Sequence, residues 1–575
     1  MALVLGPVLR HVGETTAAVW VQTEHPGDVE ILGYRARTFE VHGHHFALVV
    51  VDGLAPDSTT PYEVTVDGAV QWPADDSPFP PSVIRTRGPR SATRKRVVFG
   101  SCRFPRTDDP DLDAKLGVDA LDSYAARLAG LSHELWPDAL LLLGDQVYAG
   151  ELTPHARRNL AGRRRATDHP EDEVVTFDEY ASLYRHTWGD PEIRWILSTV
   201  PTAMIFDDHD IRDDWNTSAA WREQINREPW WRERIRAGLA SYWVYQHIGN
   251  LSPASLAADP EYQSVLAAEG DCWTQLVDLA DRADTEVDGR KGLRFSFRWD
   301  LGRARLIMID SRNGRVFTDG TRNMLSDNEF DWLAEQMNDR PDDVDHLMIG
   351  SSLPWLLPPV LGDAETVNEI AAAHPGIRGR IAEKIRQAAD LEHWQAFGRS
   401  FERLTALIGD LAARPAHAPA TITVLSGDVH HSYAARVDFR AAVHSDVYQL
   451  VCSPVHNMVP AFVRPMFIAG WSSRVARLTR RWARHRGAPA LPMTWSKVNG
   501  PIFGNTIATV ESSGRSARAI FEQPGDDCEL STVSDIPLTT SQEQRSPGPV
   551  HASSDALVPA ADEKSLRSTP PSTGR

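Results

Sequence analysis

Residues 140–148 read LLLLGDQVY. Four leucines run directly into Gly144 and Asp145, and Tyr148 follows three places later. A continuous apolar run of this length suits a strand buried on both faces, as in the parallel sheet of an α/β protein. Glycine permits a tight turn at the strand's end, and the tyrosine can then fold back over the space in front of the carboxylate. Taken alone, the stretch reads first as a Gly-Asp turn that caps the next helix, with Tyr148 as half-buried packing.

The same grammar recurs along the chain. RVVFGSC, TAMIFDDHD, RARLIMIDS, HLMIGSS and TITVLSGDVH each carry an apolar run that stops abruptly at Gly, Ser, Asp or His. Helical stretches such as DNEFDWLAEQM and FERLTALIGDLAARP lie between some of them, which predicts a mixed α/β domain. In such folds the ligand crevice lies beyond the carboxyl ends of the strands. Cys102 stands at one such end, Asp207, Asp208, His209 and Asp210 at another, and Asp428, His430 and His431 at a third. Singly, each has an ordinary explanation: a lone cysteine is a small buried hydrophobe, an acidic turn is solvated, and a loop histidine is hydrogen-bonded. Adjacent carboxylates after an apolar run nevertheless repel unless cations or arginines compensate. Thiolate, phenolate, carboxylate and imidazole from four separated strands together point to a metal centre. Carboxylate and imidazole suit first-row divalent ions, whereas thiolate and phenolate beside carboxylate favour a more highly charged ion such as Fe(III).

The bulk properties set limits on this. The chain has 575 residues, 42% hydrophobic and 24% charged, with a formal net charge of −18 at pH 7. That length allows two or more domains, and that charge argues against a nucleic-acid partner. It does not exclude an anionic substrate if bound cations supply the local field. The four cysteines, Cys102, Cys272, Cys452 and Cys528, lie far apart without a CxxC pair, as expected of reduced thiols. No apolar run reaches a membrane span, and the start carries no basic leader or cleavage site, so a cytoplasmic protein is expected. Residues 1–88 read as all-β, and GLAPDSTTPYEVTVDG resembles the corner-forming strand of a fibronectin III-like β-sandwich. TRGPRSATRKR (86–96) has a linker's composition. Residues 524–575, rich in Ser, Thr, Pro and Gln, are expected to be disordered.

The ordered set GD-x-x-Y, then D-D-H-D, then GD-x-H resembles the calcineurin-like metallophosphoesterases, and specifically their alkaline phosphatase D (PhoD) family. The SCR strand end, DDHDIRDDWN, SSLPWLL and SGDVHHSY match that family's style over about residues 97–523. The resemblance implies a four-layer αββα sandwich preceded by the small β domain. It implies metal ligation by Cys102, Asp145, Tyr148, Asp208, Asp428 and His430, with Asp145 bridging two ions. It puts His209 at the histidine of the family's Asn-His pair, with Asp208 in place of the asparagine. The general family's additional middle histidine has no clear counterpart, and SSLPW puts hydroxyls there. The departures from a simple divalent pair point to an Fe(3+)–Ca(2+) centre, with a dinuclear Mn or Zn pair as the alternative.

The expected activity is hydrolysis of a small phosphate ester, monoesters ahead of diesters, by a water that the metals activate. His209 would stabilise charge or protonate the leaving group, and Arg103 and Asn216 are candidate phosphate contacts. Two rivals stand beside it: a phosphodiesterase acting on lipid or polymer diesters, and a non-catalytic scaffold of the same fold. HARRNLAGRRRA (155–166) reads as a solvated basic insertion, with anion steering as the alternative. WSSRVARLTRRWARHR (471–486) sets Val475, Leu478 and Trp482 at helical spacing among six arginines, either packed on the domain or in weak contact with a membrane surface. The Trp-rich stretch 213–246 is expected to cover the crevice. No obligate protein partner is evident.

Overall fold

Each apolar run becomes a strand, and the strands fall into two facing sheets. The computed structural model describes residues 2–88, 94–161, 170, 172–290, 292–318 and 320–539. One sheet has six strands in the order Thr202–Ile205, Ala139–Leu143, Arg94–Gly100, Ile507–Ser513, Ser516–Pro524 and Leu530–Pro537. Its first three strands are parallel and the rest antiparallel. The other has seven, in the order Phe297–Leu301, Ala304–Ile309, His346–Ser351, Thr421–Ser426, Asp446–Val451, Ser432–Phe439 and Met493–Ile502. Its four middle members from Ala304–Ile309 to Asp446–Val451 run parallel. Parallel strands need both faces covered. Leu141, Leu143, Phe99, Met308, Met348 and Leu425 belong to the buried apolar core on one side. Ile307, Ile349 and Val424 face a separate core with Phe330 and Leu404 from the helices Asp327–Asn338 and Gly398–Ala412. Helices outside two stacked sheets make the αββα order that the resemblance implied.

The N-terminal strands build a small β-sandwich from two four-stranded sheets. Val19, Val21, Val29, Val49, Val64 and Val66 fill it. The opposite face of its first sheet, with Leu5, Trp20 and Phe46, merges into the main core, where Trp20 meets Trp188 and Tyr245 edge-on or tilted. Tyr62, placed by sequence at a sandwich corner, donates its hydroxyl to the Ser198 carbonyl of the helix Pro191–Thr199 (2.5 Å). The chain up to Thr539 therefore packs as one compact unit. Residues 89–93 of the expected linker and 162–166 of the basic insertion lie outside the described residues.

The disorder expected from residue 524 does not hold over the described part. Leu530–Pro537 pairs antiparallel with Ser516–Pro524 as the edge of the six-stranded sheet. Its composition is polar, yet Ser534, Ile536 and Leu538 are buried on alternate positions, which is all that an edge strand with one covered face requires. Residues 540–575 lie outside the described residues. The Trp-rich stretch forms the helices Ala219–Ile225 and Trp231–Tyr242, and Trp215, Trp221, Trp231 and Trp243 enter the core. Among the described residues no helix is long and apolar enough to cross a membrane.

Candidate metal centre

The carboxyl ends of strands from both sheets open on one crevice. Cys102 follows Arg94–Gly100, Asp145 follows Ala139–Leu143, and Asp207 to Asp210 follow Thr202–Ile205. Asp428 and His430 arrive from the other sheet after Thr421–Ser426. Cys102, Asp145, Asp428 and His430 all have positive φ, 57°, 55°, 68° and 50°. Non-glycine residues seldom adopt that conformation, and they do so where surrounding contacts impose it. Two glycines bring the backbones close enough for this. A Cβ on Gly144 (φ 109°) would stand 2.5 Å from Asp207 Cβ, and one on Gly427 would stand 1.9 Å from Ser101 Oγ. The same Ser101 hydroxyl accepts from the Asp428 N–H at 3.2 Å and ties the two sheets together at the crevice.

The DDHD block divides into four tasks. Asp210 accepts from the backbone N–H groups of Asp145 (2.9 Å), Gln146 (3.1 Å), Val147 (3.2 Å) and Asp207 (2.9 Å), so one carboxylate shapes two loops. Asp207 pairs with the fully buried guanidinium of Arg312. Asp208 faces the crevice, with Arg312 Nη2 at 3.1 Å. His209 lies against Tyr148, their ring centres 4.8 Å apart.

Three overlapping triads bring their donor atoms within 4.8 Å of one another: Cys102, Asp145 and His430; Asp145, Asp208 and His209; Asp207, Asp208 and Asp428. Asp145 and Asp208 are each shared between two triads. Tyr148 is buried, and its hydroxyl accepts from Asn457 Nδ2 at 2.9 Å. Asp145 Oδ1 and Asp207 Oδ2 are buried without a hydrogen-bond partner among the described residues. A buried carboxylate oxygen without a donor is costly, and a multivalent cation relieves that cost. The donor set therefore fits a metal. The third triad already holds a fixed positive charge, because Arg312 also reaches Asp428 at 3.5 Å. Arg312 touches the second triad too, through Asp208, whereas the first, Cys102, Asp145 and His430, has no such arginine.

Electrostatics separates those histidines. Burial works against protonation of His209, but Asp208, Asp145, Asp213 and Glu151 outweigh it and push its pKa up to about 10. Burial and the neighbouring His209 pull His430 down to about 4, which leaves a neutral imidazole with a lone pair to offer. Burial raises Asp145, and burial with the nearby Asp145 and Asp428 raises the Cys102 thiol. Asp428 stays below the usual carboxylate range despite burial, held there by His393 and Arg312.

The structure brings together Cys102, Asp145, Tyr148, Asp208, His209, Asp428 and His430. It does not bring Arg103 with them as a phosphate contact. Arg103 Nε bonds Asp119 (2.8 Å), Nη2 bonds Asp122 (3.2 Å), and Nη1 bonds the Thr187 carbonyl (2.8 Å), so the whole fork is spent on a buried brace. Asn216 is corrected likewise. Its amide donates to the Arg312 carbonyl at 3.3 Å and accepts from Arg222 at 3.4 Å, which positions Arg312. His431 is the hydrogen-bonded loop histidine, bound to the Val429 carbonyl at 2.7 Å and stacked on Phe467.

Sequence reading missed Arg312, Glu392 and His393. Arg312 holds Glu392 at 2.6 Å. His393 bridges Glu365 (2.8 Å) and Asp428 (3.0 Å). Arg312 was within reach, three residues past the buried strand Ala304–Ile309. Glu392 and His393 follow a turn between helices, where no strand grammar marks them. The SSLPW hydroxyls bond inward instead, Ser352 to Ser311 (2.9 Å) and Ser351 to the Leu353 carbonyl (2.9 Å).

Residues 123–477 match the family model described as PhoD-like phosphatase, and residues 1–84 match a domain of unknown function, DUF7800. No curated protein sequence matches. A solved structure described as that of PhoD aligns over 94% of this chain and 93% of its own, at 12% identity and a TM-score of 0.55. A dimetal phosphatase from Danio rerio aligns over 78% of this chain and 99% of its own, at 10% identity and a TM-score of 0.32, too low to carry an argument.

Proposed function

From the premise that this chain belongs to the PhoD-like phosphatase family, and so is a metal-dependent phosphoric ester hydrolase, we propose that it cleaves small phosphomonoesters ahead of diesters at the crevice around Asp145. The observation that carries the metal-dependent hydrolysis is the convergence of a thiol, carboxylates and imidazoles within overlapping triads that share Asp145 and Asp208, with the Tyr148 phenol ring against His209. Cys102, Asp145, Tyr148 and His430 would hold one cation, and Asp145, Asp208 and Asp428 another. Thiolate and phenolate suit Fe(3+), and an all-carboxylate set suits Ca(2+); a Mn or Zn pair is the alternative. Bound cations would neutralise the ester's charge and acidify a water.

The chain's own residues do the rest. His209, tilted against Tyr148, stands at the crevice, where a proton on its ring can pass to the departing alkoxide. Arg312 adds a fixed positive charge that cannot titrate. Asp210 keeps the two loops in register, and His393 orients Asp428 from behind. Cytoplasmic residence belongs to the same proposal, supported by four unpaired cysteines.

A comparison of p-nitrophenyl phosphate with its bis-ester tests the preference. The account expects the higher kcat/KM on the monoester; a higher value on the bis-ester would transfer the assignment to a diesterase, and no turnover of either with iron and calcium present would favour a scaffold. For iron, Tyr148→Phe should abolish a visible phenolate band, and colour that survives would remove Tyr148 from the ligands.

A further inference from the structure

We infer that the segment 458–486 is a docking face for an anionic lipid bilayer, one that brings the mouth of the metal centre to the membrane surface. The first observation is charge. The chain carries 78 Asp and Glu, yet residues 447–510 contain none, while Arg464, six arginines between 474 and 486, and Lys497 lie within that span. An otherwise acidic protein is repelled by an anionic surface except through such a face.

The second is packing. The helix Ser473–His485 lays Thr479 and Arg480 on Asp363 of the helix Pro359–Ala372, at 3.0 and 2.8 Å. That leaves Val475, Leu478 and Trp482, spaced i, i+3, i+7, exposed on another side. Leu478 is 69% exposed and Phe462, in the preceding turn, 82%. Met466 and Ile468, on the preceding helix Arg464–Gly470, are exposed as well. Arg474, Arg477 and Arg481 form no ion pair among the described residues. Beside the helix a groove of about 720 Å³, lined by Arg440, Arg477, Arg481, Arg484 and Lys497 over Trp495, is of a size and charge to take phosphate headgroups.

The third is position. Phe467 stacks on His431, next to His430, with ring centres 4.0 Å apart. Met458 follows Asn457, which bonds the Tyr148 hydroxyl. The apolar face therefore borders the crevice. A soluble polyanion would use the arginines and leave Phe462, Leu478 and Trp482 in water; a purely apolar partner would leave the arginines unpaired. A bilayer with anionic headgroups satisfies both at once, the apolar side chains entering the acyl boundary and the guanidinium groups meeting phosphates. This docking is independent of which ester is cleaved.

The test is co-sedimentation of the full chain with vesicles of phosphatidylglycerol and phosphatidylcholine, against phosphatidylcholine alone, with turnover of p-nitrophenyl phosphate followed in parallel. Binding is expected only to the anionic vesicles, and to weaken with salt. Leu478→Glu alone should lower partitioning on the order of tenfold, and with Phe462→Glu and Trp482→Glu further still, while turnover of the soluble ester stays unchanged. The inference is overturned if anionic vesicles do not bind the wild type, or if both variants bind as well as it does. It is equally overturned if sedimentation velocity shows a dimer that Leu478→Glu dissociates, since a second copy then covers the face. A chain that binds vesicles but turns over no ester would refute the proposed function and leave the docking intact.

Discussion

Replacing Arg312 by methionine keeps the side chain's bulk and removes its charge. Its guanidinium is fully buried and touches Asp207, Asp208 at 3.1 Å, Glu392 at 2.6 Å and Asp428 at 3.5 Å. At an effective dielectric near 20, one such pair at about 3 Å is worth about 5 kcal/mol before desolvation is counted. Burial of the guanidinium offsets much of that sum, and loss of one partner of a buried ion pair costs about 3–5 kcal/mol net. Over a cooperative unit ending at Thr539, that cost corresponds to a fall in Tm of roughly 3–4 °C. The assay is thermal unfolding of Arg312→Met with chelator and with added multivalent cations, at matched pH. The variant should unfold earlier in chelator, and cations should restore more stability to it than to the wild type, because they then neutralise carboxylates that have lost their arginine. Its kcat/KM should fall at least tenfold. A variant as stable as the wild type in chelator would show that Arg312 does not compensate this acid cluster.

Further expectations follow from the same geometry. Gly144→Ala puts a Cβ 2.5 Å from Asp207 at φ 109°, so strain of about 1–3 kcal/mol should lower Tm and displace Asp145, seen as a drop in bound metal; unchanged metal content would contradict it. Asp210→Asn turns an amide towards two backbone N–H donors, whichever way it flips, and should cost about 2–4 kcal/mol and at least tenfold in kcat/KM. His247 and His11 are buried, and burial beside Arg10 and Arg87 lowers each to about 3 from 6.5. The unfolded chain takes up those protons first as pH falls. Their stabilisation is complete above about pH 6.5 and should be lost towards pH 3 at about 1.4 kcal/mol per pH unit for each histidine. His247→Gln should flatten that slope in denaturant titrations, and an unchanged slope would discount the histidine.

What was legible in the chain is the strand grammar, because a buried parallel strand needs a continuous apolar run and its end needs a polar turn. LLLLGD and TITVLSGD declare both at once. The roles inside DDHD were not legible: three adjacent carboxylates and an imidazole go to an arginine, the crevice, four backbone amides and a ring contact, and only tertiary contacts distribute them. Arg103 misled because its partners Asp119 and Asp122, at the start of the helix Ala120–Ala129, carry no local sign that they turn inward to an arginine. His393 is brought to Asp428 by the packing of helices, which leaves no local pattern. The edge strand Leu530–Pro537 was hidden by composition, although its period of two was present.

Elemental analysis of the purified chain tests the central claim most directly. The account predicts stoichiometric multivalent cations, more than one per chain, falling in Cys102→Ala and Asp145→Ala while Arg103→Lys retains them. A folded wild-type protein that holds no such cation after exposure to iron and calcium, manganese or zinc would contradict it.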